Sequence, residues 1–124
     1  MDIKTAFLHS DLVEEVYMVW PIGGKEPGKE NWVRHLNKTL YGLMQATKGW
    51  NQCLHCTMVD NRYLRVSVDH CVYIQSLKLG TLLVAIHVDD MCAAASSLAE
   101  MQSLKNDLKS AFNLIDLGEV CFLL

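Results

Sequence analysis

The stretch Ile86-His87-Val88-Asp89-Asp90-Met91 constrains the fold more than any other part of the chain. Two adjacent carboxylates sit between a continuous apolar run at residues 81–88 and a second apolar stretch at residues 91–95. The first run reads as a strand buried on both faces. Two such runs broken only by Asp89-Asp90 read as a hairpin with the aspartates at its tip. Like charges held this close repel each other, a cost that a divalent cation removes, and Mg²⁺ prefers oxygen ligands of this kind. An ordinary solvated turn is the alternative, because Asp is also a common turn residue.

The flanking segments place this hairpin in an α+β fold. Residues 3–8 are short and mostly apolar and read as the end of a buried strand. Residues 16–20 and 32–36 read as two more strands, separated at residues 21–31 by a loop that holds Gly23, Gly24, Pro27 and Gly28. Ala46, Trp50, Leu54 and Met58 recur every four residues, which predicts a helix over 45–60. A strand is expected near residues 71–74, followed by a turn at Lys78-Leu79-Gly80. Ser97 and Glu100 have the spacing of a capping box, and Leu98, Met101, Leu104, Leu108 and Phe112 form the expected buried stripe of a second helix. Asp116-Leu117-Gly118 ends it, and residues 120–124 read as a final strand. Strands and helices mix without a βαβ rhythm, hence α+β rather than α/β.

Composition narrows the function classes. A chain of 124 residues that is 51% hydrophobic and 20% charged is globular and forms one domain. Its mean hydropathy of +0.13 is slightly apolar for a free-standing soluble domain, as expected of a piece whose surface is covered by something else. The formal net charge of −3 argues against tight nucleic-acid binding by this segment alone. It does not argue against a carboxylate-lined catalytic floor. The start, Met1-Asp2-Ile3-Lys4-Thr5, has neither the basic nor the apolar region of a signal peptide, and no apolar run reaches the length of a membrane span. Five cysteines, an odd count, do not suggest a disulfide framework. The expectation is an intracellular protein, cytosolic or nuclear, with no membrane partner.

Six blocks in order carry a family resemblance. Asp2-Ile3-Lys4-Thr5-Ala6-Phe7-Leu8 resembles D-V-K-T-A-F-L, and Val16-Tyr17-Met18 with Pro21 resembles a Y-M-x-x-P stretch. Leu40-Tyr41-Gly42-Leu43-Met44-Gln45-Ala46, with Trp50 beyond it, is similar to S-L-Y-G-L-K-Q-A-P. Asp69-His70-Cys71-Val72-Tyr73 resembles D-x-C-V-Y, His87-Val88-Asp89-Asp90-Met91 resembles Y-V-D-D-M, and residues 112–124 resemble F-x-M-K-D-L-G-E-x-x-x-F-L-G. Together they resemble the reverse transcriptase domain of copia-type retrotransposons. The resemblance implies a partial polymerase palm over residues 1–124: a mixed, mostly antiparallel sheet packed on two helices, without fingers, thumb or RNase H regions. It implies two-metal nucleotidyl transfer with Mg²⁺, or Mn²⁺ in its place, and template–primer, deoxynucleotide and the remaining polyprotein domains as partners. Asp2, Asp89 and Asp90 are the implied catalytic metal ligands. Phe7 is the implied aromatic gate against a ribose 2′-hydroxyl, and Tyr41 and Gly42 the implied nucleotide contacts.

The departures from the pattern point to an inactive piece. Asp2 stands next to Met1, so a frayed terminus is expected to carry a metal ligand. His87 replaces the usual Tyr, Thr47 a Pro, and Met44 and Ile115 two Lys. Two readings from other classes compete. Cys53-Leu54-His55-Cys56 with His70-Cys71 suggests a zinc module, weakly, because Cys53 falls on the apolar helix face. A transposon-derived interaction protein without catalysis is the other. Trp20, Trp32 and Trp50 read as packing residues, and His9, His35 and His55 as surface residues.

Overall fold

A computed structural model describes residues 1–21, 23–24, 27–29, 31–77 and 80–120 of the chain. Eight strands and two helices are found among them: β1 (Asp2–Ile3), β2 (Tyr17–Val19), β3 (Val33–His35), α1 (Ala46–Asp60), β4 (Leu64–Arg65), β5 (Val72–Leu77), β6 (Gly80–His87), β7 (Asp90–Ala95), α2 (Leu98–Ala111) and β8 (Leu114–Ile115). Six strands form an antiparallel sheet in the order β4-β5-β6-β7-β1-β8, and β2 and β3 pair separately. The α+β class is as expected. The residues expected at a turn, Lys78-Leu79, and at the end of the final strand, 121–124, lie outside the described residues, as do parts of the loop at 21–31.

Strand alternation decides where the core lies. Leu82, Val84 and Ile86 of β6, Tyr73 of β5, Met91 of β7, Ile3 of β1 and Leu114 of β8 are buried in one cluster. Trp50, Leu54 and Met58 of α1 and Leu104 and Leu108 of α2 close the same cluster. Each of these apolar side chains contributes about 1.5–3 kcal/mol by leaving water. The expectation that residues 81–88 are buried on both faces is therefore corrected. Leu83 is exposed and Ala85 half-buried, because both helices cover the same side of the sheet. A continuous apolar run cannot tell a doubly covered strand from a singly covered one.

Other expectations shift for local reasons. Residues 3–8 do not continue as a strand: Thr5 adopts φ 54, and Ala6–His9 then form one turn of 3₁₀ helix. Ser97 caps α2, its Oγ accepting from the Glu100 N–H at 3.2 Å. Glu100 Oε2 is buried without a partner. Leu98 is 89% exposed, so the buried stripe starts one turn later.

Candidate active site at the β6–β7 hairpin

The hairpin that the paired aspartates predict is present, but its tip is Val88–Asp89. His87 and Asp90 are register partners and Asp90 is the first residue of β7. Only Asp89 of the pair therefore sits in the turn. Val88 adopts φ 54, a region that a β-branched residue enters at a cost. The turn is held from two sides. The Trp50 indole N–H donates to the Val88 carbonyl at 2.8 Å, and the Ile3 N–H donates to the Asp89 carbonyl at 2.8 Å.

Asp2 is not on a frayed end, which corrects the expectation from its position. Strand β1 lies between β7 and β8, with Asp2 opposite Asp90 on one side and Ile115 on the other. The Met1 ammonium donates to the Met91 carbonyl at 2.9 Å, and the Met91 N–H donates back to Met1 at 2.9 Å. Because Met1 and Met91 exchange both bonds, Asp2 and Asp90 form the next, non-hydrogen-bonded pair, the type in which facing side chains come closest. Like charges directly opposite each other in a sheet are destabilising. Ile3 and Met91, the next residue of each strand, are buried, so alternation turns Asp2 and Asp90 to the face without helices. Lys4 Nζ lies 3.5 Å from Asp2 Oδ2 and offsets part of the charge.

Tyr41 joins Asp89 to the second segment. Its hydroxyl donates to Asp89 Oδ2 at 2.6 Å. That bond, then burial and the nearby Asp89 and Asp2 charges, push the Tyr41 hydroxyl up to about 12. Its ring meets Phe7 edge to face, with centroids 4.5 Å apart. Phe7 is buried, and its carbonyl accepts from the buried Thr39 hydroxyl. Gly42, at φ 93, supplies the left-handed turn just after Tyr41.

Five of the six residues singled out from the sequence thus meet around one hairpin: Asp2 faces Asp90, and Phe7 touches Tyr41, which holds Asp89. Gly42 follows Tyr41 in a left-handed turn. The three carboxylates reach neighbouring backbone positions, yet among the described residues no group of three acidic, His or Cys side chains closes on a single point as a metal would require. Asp89 Oδ1 is buried and has no hydrogen-bond partner. An orphaned carboxylate oxygen beside a like-charged pair is the donor set a hard divalent cation suits. A groove of about 670 Å³ is lined by Asp90 together with Val72, Ala85, His87, Cys92 and Leu117, but by neither Asp2 nor Asp89.

Trp50 does more than pack: its indole holds the hairpin turn. Its place in the four-residue repeat of α1 predicts packing, and no spacing signals its bond to the hairpin. Lys4 was equally silent. His9 and His55 are half-buried rather than on the surface: His9 packs on Trp50 and Phe112, with centroids 6.0 and 5.2 Å away, and His55 lies 3.2 Å from the Tyr73 hydroxyl. The zinc reading finds no support among the described residues, where Cys53, Cys56, His70 and Cys71 form no metal-binding group. Burial pushes the Cys53 thiol up, away from the thiolate that zinc requires.

Comparison with known proteins agrees with the motif order. The whole chain, residues 1–124, matches the family described as Reverse transcriptase (RNA-dependent DNA polymerase). It is 40% identical over 119 residues to the Retrovirus-related Pol polyprotein from transposon TNT 1-94 of Nicotiana tabacum, covering 95% of this chain and 9% of that protein. It is 32% identical over 120 residues to a putative transposon Ty5-1 protein of Saccharomyces cerevisiae, covering 97% of this chain and 39% of that protein. With the Retrovirus-related Pol polyprotein from transposon RE1 of Arabidopsis thaliana it shares 25% over 124 residues, all of this chain and 8% of the relative. The chain thus spans a minor part of each of these relatives. No solved structure matches it.

Proposed function

Because the chain belongs to the reverse transcriptase (RNA-dependent DNA polymerase) family, we propose that it is the palm part of a retrotransposon RNA-directed DNA polymerase and carries that enzyme's carboxylate floor. One observation carries this reading: Asp2 and Asp90 pair across β1 and β7 while Asp89, one residue away, keeps a buried oxygen without a partner. Asp2, Asp89 and Asp90 would hold the divalent ions, Mg²⁺ or Mn²⁺. When bound, such ions supply Lewis-acid stabilisation for the attacking primer hydroxyl and the departing pyrophosphate.

The chain's own residues do the rest. Trp50 and Ile3 fix the turn, so Asp89 is presented by a backbone held at both carbonyls. Tyr41, exposed beside Asp89 and backed by the buried Phe7 ring, is the aromatic surface suited to pack against a nucleotide sugar, with Phe7 supporting it from behind. Gly42 lets a substrate approach the backbone closely. Template, primer and the other polyprotein domains are the partners of this site. The net charge of −3 repels phosphate, so the chain by itself holds the cation but extends a primer poorly.

The test is Mn²⁺ binding together with primer extension on an RNA template, first with Mg²⁺ and then with Mn²⁺, for the wild type and Asp89→Asn. Weaker Mn²⁺ binding in Asp89→Asn supports the site. Equal binding by both proteins overturns it. Efficient incorporation that Asp89→Asn abolishes keeps the site but overturns the poor activity of the isolated chain.

A second reading, a transposon-derived interaction module, is favoured by the β2–β3 hairpin, where Tyr17, Val19, Trp32 and Val33 are all exposed. Light scattering that shows a clean monomer at high concentration counts against it.

A further inference from the structure

The Asp89 carboxylate is asymmetric. Oδ2 accepts from the Tyr41 hydroxyl at 2.6 Å, whereas Oδ1 is buried and accepts from nothing among the described residues. A carboxylate on a turn rotates easily about its last torsion, whose wells are broad. Without a bond to one oxygen, either oxygen could swing out to water. Here the swing is blocked by a hydroxyl that is itself anchored. The Tyr41 ring stacks edge to face on Phe7 at 4.5 Å, Thr39 holds the Phe7 carbonyl, and the left-handed turn at Gly42 sets the path of the chain.

We propose that Tyr41 is a positioning residue for the metal site: its hydroxyl holds Asp89 Oδ2 so that Oδ1 stays turned toward a divalent cation. The proposal rests on the reading that Asp89 is a metal ligand, and it gives Tyr41 a role separate from contact with a nucleotide. The donor chemistry fits this role. A neutral hydroxyl orients a carboxylate without cancelling its charge, whereas Lys4 on Asp2 brings a competing cation. Outer partners that hold a ligating carboxylate typically change metal affinity 10- to 100-fold when removed. The unpartnered oxygen also has a cost in the metal-free fold that a bound cation offsets.

The experiment measures Mn²⁺ affinity, through the spin-resonance signal of free Mn²⁺, for the wild type, Tyr41→Phe, Asp89→Asn and the double variant. Tyr41→Phe keeps the ring on Phe7 and removes only the hydroxyl. Circular dichroism checks that each variant is folded. The expected result is about a 10-fold weaker affinity for Tyr41→Phe and no further loss when the change is added to Asp89→Asn. Unchanged or tighter binding by Tyr41→Phe, with Asp89→Asn still weaker than wild type, overturns the positioning role and leaves the metal site standing. Equal affinity in the wild type and Asp89→Asn overturns the metal site itself, and the positioning role with it.

Discussion

The indole of Trp50, at the start of the second turn of α1, reaches 2.8 Å to the carbonyl of Val88 at the tip of the β6–β7 hairpin. One hydrogen bond therefore ties the helix layer to the turn that presents Asp89. Trp50 also packs on Phe112 just beyond α2, with ring centroids 5.2 Å apart, so the turn is referenced to both helices.

Trp50→Phe keeps most of the ring packing and leaves the Val88 carbonyl without its donor. The expected loss is about 1–3 kcal/mol of stability, the range for an orphaned acceptor together with imperfect refilling of the space. Urea denaturation checks it. A change below about 0.5 kcal/mol, the usual scatter of surface substitutions, would show that the turn does not depend on the indole.

Val88 occupies φ 54, where a glycine has no Cβ penalty. Left-handed backbone costs an L-residue about 1–2 kcal/mol, and glycine's greater freedom when unfolded takes back up to about 1 kcal/mol. Val88→Gly is expected to raise the free energy of unfolding slightly, by up to about 1 kcal/mol, seen as a higher urea midpoint. A clear destabilisation would show that the valine side chain supports the turn through packing.

Tyr41 should ionise near 12, mainly because its proton is shared with Asp89. A raised folded value means that this bond stabilises the fold fully below about pH 10, the ordinary tyrosine value, and that the stabilisation is lost as pH rises through the folded value. The phenolate absorbance difference between wild type and Tyr41→Phe isolates this group. In Asp89→Asn the same difference should titrate at lower pH than in the wild type, because the Asp89 charge and its bond are removed while burial remains. No displacement between the two backgrounds would mean that the Tyr41–Asp89 bond does not persist in solution.

Asp116 behaves in the opposite sense. Lys105 Nζ lies 2.6 Å from its Oδ2 and the Gly118 N–H donates to its Oδ1 at 3.0 Å, and these bonds hold the carboxyl below the usual carboxylate range. A depressed folded value gives stability that is present above the ordinary value of about 3.9 and lost as pH falls through the lower folded value. Lys105→Ala should flatten the acid limb of a plot of Tm against pH, with little effect at neutral pH in high salt, where the exposed pair is screened. An unchanged acid limb would show that the pair contributes nothing measurable.

What the sequence determined by itself was the class of fold, the family and the hairpin that carries Asp89 and Asp90. Four-residue periodicity predicted α1, and the Ser97 cap with the stripe of Leu98, Met101, Leu104, Leu108 and Phe112 predicted α2, although Leu98 proves exposed. The aspartates between two apolar runs predicted the hairpin, and motif order placed the chain in its family. These are short-range signals, written in residues a few positions apart. The tertiary structure decided what depends on distant pairing. The place of β1 between β7 and β8 and the facing of Asp2 and Asp90 arise from strands 88 or more positions apart in the chain, and the burial of β6 on one face only arises from both helices packing on the same side of the sheet. Tyr41 reaches Asp89 across 48 positions and Trp50 reaches Val88 across 38. Hydrogen bonds across such separations leave no periodicity behind them. Only the packed sheet, with both helices on one side of it, brings their partners within bonding distance.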